Sequence, residues 1–219
     1  MAAALIKTRQ RVADHGEVFT AEREVNAMLD LVKPETERID SRFLEPACGS
    51  GNFLIEVLRR KLAVVEERYG KGQLEFERYA IVAIGSIYGV DLLEDNAAEC
   101  RERLFEHFEG VYARLFGEAC RAECRVSARY VLDRNIICGD ALTMKTVGRK
   151  PEPIVFSEWS PVNGSLVKRR DYSLAHLLVY QPMEGPSLFS DLGEEAFIPK
   201  PVRDFPLTHY LKLAEAEHA

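Results

Sequence analysis

Three acidic residues stand at the ends of short apolar segments: Glu45 in FLEP, Asp91 in GVDLL and Asp140 in CGDAL. Gly49 and Gly51 follow the first of these and precede an apolar run with helical spacing. A glycine turn between a strand and a helix lets the backbone approach a ligand, and the start of the helix offers free N–H groups. Any one acid alone could equally be a solvated carboxylate or a helix cap. Together they indicate a ligand-binding crevice at one edge of a parallel sheet.

The elements that must position these residues alternate between strand and helix. Strands are predicted in RFLEP, which is expected to be buried, and in IYGVDLL and NIICGDAL. Helices are predicted over residues 20–33, 50–68, 74–86, 94–116 and 118–133. In the first helix, Thr20 is expected to cap the start and Pro34 to end it. This alternation predicts an α/β fold, a parallel sheet covered by helices, in a domain over residues 1–150.

The pattern changes after this domain. In residues 153–180, Asn163-Gly164 separates two weakly alternating halves, and this dipeptide favours a two-residue hairpin turn with both residues at positive φ. The proline-rich segment 181–206 is predicted to be extended, and residues 207–219 to form a short closing helix. We therefore expect residues 151–219 to add a β-hairpin and a tail rather than a separate domain.

Composition excludes several classes of protein. The net charge of −6 argues against a free-standing nucleic-acid binder, because non-specific affinity for phosphates comes from clustered Lys and Arg. No apolar run approaches the roughly 20 residues that span a bilayer. The N-terminal apolar stretch is too short for a signal peptide, so a cytoplasmic protein with five reduced cysteines is expected. Cys120 and Cys124 have no nearby Cys/His pair, so no metal site is predicted.

The segment LEPACGSGNFL resembles motif I of the class I S-adenosylmethionine-dependent methyltransferases, in the form found in N6-adenine DNA methyltransferases of restriction–modification systems. GEVFT (16–20), GVDLLEDNA (89–97) and GDAL (139–142) resemble the N-terminal motif, motif II and motif III, in the order of that family. The resemblance covers about residues 14–145. It implies a Rossmann-like sheet, S-adenosyl-L-methionine as cofactor and an adenine of DNA as methyl acceptor.

The resemblance also implies roles for individual residues. Gly49 and Gly51 would leave room for the methionine and ribose parts of the cofactor, and Glu45 would accept a hydrogen bond from its ammonium group. Asp91 would bind the ribose hydroxyls, and Asp140 the exocyclic amine of the adenine. Other residues are expected to contact the cofactor as well. The motif I turn adds Pro46, Ala47, Asn52 and Phe53. Leu92 and Ala141 would lie beside the adenine, and Phe19 and Thr20 would cover the methionine end.

The chain departs from the family in two respects. Glu45 and Asp91 lie 46 residues apart (91 minus 45), beyond the roughly 20 of a minimal strand–helix–strand unit, and the helix predicted over residues 74–86 is read as an insertion. The family's Asn/Asp/Ser-Pro-Pro-Tyr/Phe loop, which holds the flipped adenine, is missing, so the catalytic residues are unknown. The nearest candidate, SPVN (160–163), lacks the second proline and the aromatic residue.

Other residues near SPVN have open interpretations. Trp159 and Tyr172 could stack on a base, although a lone Trp in a hairpin is more often a core residue. KRR (168–170) could contact phosphate or form a solvated strand edge.

The predicted sheet is also short, with only three or four strands where a complete class I methyltransferase has seven. Its exposed edge must be covered, either by the hairpin and the tail or by a second polypeptide. Two function classes therefore stay open. The chain is the cofactor-binding part of a truncated or split N6-adenine DNA methyltransferase, with weak DNA binding of its own, or it is a non-catalytic cofactor-binding or interaction subunit.

Overall fold

Parallel strands from the first 140 residues form the centre of a mixed sheet. The protein is described by a computed structural model over residues 20–178 and 200–216, together with Thr8, Gln10, Arg11 and Ala13. The strands of this sheet are β1 (Phe43–Glu45), β2 (Ile87–Asp91), β3 (Ile136–Asp140) and β4 (Lys145–Thr146). They lie in the order β1–β2–β3–β4; the first three are parallel, and β4 runs antiparallel to β3. The predicted α/β class and the three predicted strands are confirmed.

Helices connect the parallel strands and cover one face of the sheet. The α-helices of the described residues are α1 (Glu22–Asp30), α2 (Lys33–Thr36), α3 (Asn52–Tyr69), α4 (Gln73–Gly85), α5 (Glu94–Phe116), α6 (Ala122–Asn135) and α7 (Leu174–Leu178). Shorter 3-10 helices occupy Gly117–Ala119 and Tyr210–Glu215. The crossover from β1 to β2 contains both α3 and α4, which explains the long spacing between the first two acids. The 3-10 turn at Gly117 delays α6, so this helix begins four residues after the predicted start.

The pleat of the sheet divides its side chains between two hydrophobic clusters. Ile87 and Ile136 pack in the main core with the helices, whereas Tyr88 and Val90 point to the opposite face. On the helical side, α3 contributes a fully buried stripe at helical spacing, formed by Leu54, Val57, Leu58, Leu62 and Val65. On the opposite face, the smaller cluster adds residues from the C-terminal part of the chain, namely Ile154, Phe156 and Leu174.

The predicted hairpin forms a second antiparallel sheet. Its strands are β5 (Val155–Pro161), β6 (Leu166–Ser173), β7 (Arg203–Asp204) and β8 (Thr208–His209), and β6 pairs with the other three. The turn differs from the prediction. Of the turn residues, only Gly164 has a positive φ, which is 55°. The Leu166 N–H donates to the Asn163 carbonyl at 3.1 Å, so the loop is longer than the predicted two-residue turn. Trp159 and Tyr210 pack in the main core, which the hairpin therefore shares with the helices.

Three local predictions are wrong. Thr20 does not cap α1: the N-cap is Ala21, whose side chain makes no capping bond. Pro34 does not end α1 but lies in the first turn of α2, where its missing N–H needs no partner. β1 is not buried, because it lies at the edge of the sheet and leaves Leu44 42% exposed.

The C-terminal predictions are met only in part. The closing helix is present as the 3-10 helix Tyr210–Glu215. Most of the segment predicted to be extended, residues 181–206, lies outside the described residues. Within the described part of the chain, no helix combines the length and the apolarity that crossing a bilayer requires.

Candidate functional site

A cleft of about 510 Å³ opens at the carboxyl ends of β1, β2 and β3. The structure brings most of the predicted site residues together around it: Thr20, Glu45, Pro46, Ala47, Gly49, Asn52, Phe53, Asp91, Leu92, Asp140 and Ala141. Gly51 is not part of the lining, and Phe19 lies outside the described residues. Parallel strands bring their carboxyl ends to one edge, so residues far apart in sequence meet here.

The glycine turn is held against the end of β2 by backbone hydrogen bonds. The Cys48 N–H donates to the Val90 carbonyl at 2.9 Å, and the Gly51 N–H donates to the Cys48 carbonyl at 2.8 Å. Gly49 and Gly51 have φ values of 52° and 87°, in the left-handed region that glycine adopts without strain. This conformation turns the chain from β1 into α3 within a few residues and keeps the turn at the floor of the cleft.

Gly51 has a packing role between two helices. A Cβ atom built on Gly51 would lie 2.6 Å from the Cys100 Sγ, so α3 and α5 approach each other at this residue. Arg103 on α5 strengthens the same junction, because its guanidinium donates to the Ser50 carbonyl at 2.6 Å and to the Asn52 Oδ1 at 2.9 Å.

Asp91 fastens the end of β2 to the glycine turn. Its Oδ2 accepts a hydrogen bond from the Gly49 N–H at 2.9 Å, and its Oδ1 accepts from the Leu93 N–H at 2.9 Å and the Asn96 Nδ2 at 3.2 Å. These contacts are from uncharged donors, so within the described residues the negative charge of Asp91 is stabilised by hydrogen bonds and not by an ion pair. Because each carboxylate oxygen can accept two hydrogen bonds, Oδ2 keeps one acceptor position for a ligand.

Glu45 lies half-buried at the end of β1. Burial raises the pKa of its carboxyl group, and the hydrogen bond from the Ala47 backbone opposes this rise. A cationic donor in the cleft would favour the ionised carboxylate and bring its pKa down again. Glu45 is therefore suited to accept a hydrogen bond from an ammonium group.

Asp140 lies at the opposite end of the cleft and is partly exposed. Its Oδ1 accepts the Leu142 N–H at 2.9 Å, and this bond, together with that of the Thr143 hydroxyl, lowers the pKa of the carboxyl group. Beside it, Leu92 is 49% exposed and Leu142 is 92% exposed. Exposed leucines next to an acceptor form a wall on which a planar ring with an amine could lie.

The charge of the lining is one-sided. Glu45, Asp91 and Asp140 all line the cleft, and no Lys, Arg or His of the described residues does so. Such a cleft repels phosphate and favours ligands that carry hydroxyl, amine or ammonium donors. Across the described part of the chain, no group of three His, Cys, Asp or Glu residues could hold a metal ion.

Sequence reasoning missed several residues of the lining, which are Met28, Cys48, Leu93, Asn96, Gly139 and Leu142. Asn96 carried a signal, since it lies in the first turn of α5, five residues after Asp91, where an amide can reach back to the strand end. Met28 carried none: an apolar residue at helical spacing in α1 is expected to pack in the core, but Met28 is 49% exposed and lines the cleft.

The residues that could have held a base do not reach the cleft. Trp159 is only 6% exposed and packs edge-on to Tyr130, with ring centroids 5.9 Å apart. Ser160 and Pro161 end β5, and Asn163 lies in the hairpin turn. Tyr172 lines a groove on the other face of the sheet. SPVN is therefore not a loop at the cleft.

The basic run KRR is occupied by ion pairs instead of forming a free phosphate-binding or solvated edge. Lys168 pairs with Asp204, and Arg170 lies 3.7 Å from Glu158 and 3.8 Å from Asp204. Arg169 is buried and pairs with Asp171 at 2.8 Å.

Comparisons of the chain with protein-family models, with curated proteins and with solved structures found no match. The cleft, its charge and the motifs that line it are therefore the grounds on which a function is assigned.

Proposed function

We propose that the chain is the S-adenosylmethionine-binding component of an N6-adenine-specific DNA methyltransferase of a restriction–modification or related defence system. One observation carries the proposal. Glu45, Asp91 and Asp140 meet around a single cleft of about 510 Å³ that no described Lys, Arg or His lines. The four motifs that resemble this family lie in the family's order along the same residues.

The donors of the cofactor match the acceptors of the cleft. In the proposed complex, Glu45 accepts from the ammonium group, Asp91 binds the ribose hydroxyls and Asp140 accepts from the adenine amine, while Leu92 lies against the adenine ring. The cationic sulfonium and ammonium groups suit the negative lining. A dinucleotide would bring its pyrophosphate against the same carboxylates, with no described cation to offset the repulsion, so the charge of the cleft favours S-adenosylmethionine.

In this proposal the chain holds the cofactor but has no loop that would hold the target adenine. In the reaction, the adenine N6 attacks the methyl carbon, the bond from that carbon to sulfur breaks to give S-adenosylhomocysteine, and N6 loses a proton. Holding two reactants in line contributes roughly 7–11 kcal/mol of such a barrier. The missing Pro-Pro loop favours the second function class for the isolated chain, a non-catalytic cofactor-binding subunit. Such a chain binds the cofactor but transfers no methyl group unless a partner supplies that loop.

Isothermal titration calorimetry with S-adenosylmethionine tests the cofactor. We expect binding to the wild type, no binding of NAD as the phosphate-bearing control, and a marked loss of affinity in Asp91→Ala, which removes both the ribose contact and the bond to Gly49. Glu118→Ala, an exposed acid in the 3-10 turn away from the cleft, is the matched control. Equal affinity of wild type and Asp91→Ala would remove Asp91 from the site, and no binding to the wild type would refute the proposal.

A methyl-transfer assay with labelled cofactor and a DNA duplex distinguishes a chain that is catalytic by itself from one that only binds the cofactor. The isolated chain is expected to show no transfer and only weak, salt-sensitive DNA binding, with a Kd near the roughly 10⁻⁴ to 10⁻⁶ M of non-specific contacts. A polypeptide with an Asn-Pro-Pro-Tyr loop should restore transfer. Rapid N6-methyladenine formation by the chain alone, or a nanomolar sequence-selective complex with DNA, would contradict this reading.

A further inference from the structure

The chain after β3 folds into a short hairpin that begins at the cleft. β4 runs antiparallel to β3 and places Lys145 opposite Asp140, so it starts at the edge of the sheet where the cleft opens. The Thr146 N–H donates to the Glu152 carbonyl at 2.8 Å, and the Glu152 N–H donates to the Thr146 Oγ1 at 3.0 Å. These two bonds fix the hairpin of residues 145–153, which we call the basic hairpin.

The basic hairpin is positive although the chain as a whole is negative. It carries Lys145, Arg149 and Lys150 against one acid, Glu152, which gives a net charge of +2 (three minus one), whereas the whole chain has −6. All four residues are exposed. Within the described part of the chain, none of the three cations forms an ion pair, in contrast to KRR, whose three cations all do. Their charges are therefore available to an anionic partner.

The spacing of these cations suits several phosphates of one DNA strand. Lys145 lies beside the mouth of the cleft, and Arg149 and Lys150 lie in the turn of the basic hairpin. Four residues of extended chain from Lys145 to Arg149 span at most about 13 Å. DNA presents one phosphate per about 3.4 Å of helix axis in each strand. The two ends of the hairpin can therefore contact phosphates up to about four positions apart.

We infer that the basic hairpin binds the sugar–phosphate backbone of the DNA strand that carries the target adenine. The inference rests on the proposed function and names the surface by which this chain positions its substrate. A flipped base stays joined to its own sugar and phosphate, so the neighbouring phosphates must lie at the mouth of the cleft. The acidic lining of the cleft repels these phosphates, and Lys145 supplies the opposite charge at its border. Lys145, Arg149 and Lys150 are positioning residues, because they contact phosphate and not the reacting atoms.

An acidic surface of another protein is the competing partner for three exposed cations. Its carboxylates could pair with the basic hairpin, but they would have no reason to lie at this particular border. The target adenine, in contrast, ties the DNA backbone to the mouth of the cleft, where Lys145 lies. The position of the hairpin therefore favours DNA.

Fluorescence anisotropy of a labelled DNA duplex, from about 50 to 200 mM salt, tests the basic hairpin in the full chain. The variants are Arg149→Gln/Lys150→Gln and Lys145→Gln. Arg68→Gln/Lys71→Gln is the matched control, since it removes two exposed cations that form no ion pair within the described residues. They lie at the far end of α3, which is about 27 Å long and begins at the cleft. Thermal melts show whether each variant folds.

The expected loss of affinity is about tenfold or more in Arg149→Gln/Lys150→Gln and smaller in Lys145→Gln. The slope of log K against log salt should become less negative by about 0.9 for each cation removed, a change that a merely structural role would not produce. The control variant should keep the affinity and the slope of the wild type. Equal losses in the two double variants would show that only net charge matters. That result, or no binding of the duplex by the wild type at the lowest salt, would overturn the inference.

Acetylation of lysines by an N-hydroxysuccinimide ester, followed by mass spectrometry, locates the contact. DNA should protect Lys145 and Lys150 and leave Lys71 reactive. A poly-glutamate peptide that protects the same two lysines as well as DNA does would assign the hairpin to an acidic protein and overturn the inference. Calorimetry with S-adenosylmethionine on the wild type keeps the two proposals apart. Cofactor binding together with unaltered DNA affinity in the hairpin variants would refute only the hairpin, and the reverse pattern would refute only the cofactor proposal.

Discussion

Asp91 at the cleft and Asp171 in the hairpin are both strand carboxylates, yet their surroundings differ in one decisive way. Asp171 is 3% exposed, and its two oxygens accept from the Arg169 Nε and Nη2, both at 2.8 Å, and from the Ser157 Oγ at 2.7 Å. Asp91 is partly exposed and is held by two backbone N–H groups and one amide. The first charge is neutralised within the fold, whereas the second is still available to a ligand.

The comparison extends to the regions around the two residues. Arg169 is itself 3% exposed and also lies over the ring of Phe205, with 4.0 Å to the centroid, so this ion pair is buried within the fold. The cleft instead has partly exposed carboxylates and exposed leucines. A polar cluster with every partner inside the chain stabilises the fold, and one with spare acceptors at an open cleft is a candidate site.

The largest expected effect is on stability and comes from Arg169→Met. Removing one partner of a buried ion pair leaves an uncompensated charge, which costs about 3–5 kcal/mol in the free energy of unfolding. Urea unfolding measures it. The double variant Arg169→Met/Asp171→Leu should recover part of the loss, since neither charge is left unpaired. A loss as small as that of the exposed Arg114→Met, whose pair with Glu66 lies at the surface, would break the comparison.

Gly51→Ala tests whether the glycine turn is sterically required. The left-handed φ costs about 1–2 kcal/mol for a residue with a Cβ, and the contact with the Cys100 Sγ adds about 1–3 kcal/mol. Gly164→Ala is the matched control, because its φ is also positive at 55° but no atom lies within 4 Å. Adding Cys100→Ala should relieve the Gly51→Ala defect in part. Equal destabilisation of the two glycine variants would show that packing between α3 and α5 is not the reason for Gly51.

Glu45→Gln should weaken S-adenosylmethionine binding about tenfold and leave stability nearly unchanged. A hydrogen bond between charged groups contributes about 1.5–3 kcal/mol, and the amide keeps the shape but loses the charge. Calorimetry and a thermal melt of the same sample separate the two effects. Unchanged affinity would place the ammonium group elsewhere.

The pH dependence of wild-type binding sharpens the same test. Burial raises the pKa of Glu45 in the free protein, so protonation on acidification should weaken binding of the cationic ligand as pH falls through that raised pKa. The free energy of unfolding depends on pH in the opposite direction to ligand binding. The raised pKa of Glu45 stabilises the fold at low pH, and this stabilisation is lost as pH rises through the folded-state pKa. Calorimetry from neutral to acidic pH should show this slope in the wild type and not in Glu45→Gln.

The smallest effect is expected from Asp140→Ala. Its carboxylate would accept from an uncharged amine, whereas Glu45 would accept from an ammonium group, so the loss of affinity should be smaller than in Glu45→Gln. Competition between S-adenosylhomocysteine and an analogue without the exocyclic amine measures that contact, because Asp140→Ala should reduce the preference between the two ligands. A loss as large as that of Glu45→Gln would mean that the outer end of the cleft closes over the ligand.

Much of the fold and of the cleft was determined by local sequence. Apolar periodicity gave the positions of α3, α4 and α5 and of the three parallel strands, because alternating or helical burial leaves a repeat in the sequence. The glycines and the acids at the strand ends marked the cleft for the same kind of reason. A turn with positive φ favours glycine, and the carboxyl ends of parallel strands share one edge.

Residues with similar local sequence patterns differ in burial and pairing, and only the tertiary structure determines these differences. Gly49 and Gly51 are two residues apart, but Gly49 lines the cleft, whereas Gly51 packs against Cys100 and is not part of the lining. The sequence left two interpretations open for Trp159 and for KRR, and long-range contacts with Tyr130, Asp171 and Asp204 bury or pair these residues. Leu44 fits a buried strand by composition, and the strand order places it at an open edge. Burial and pairing depend on residues distant in the chain, which local periodicity does not record.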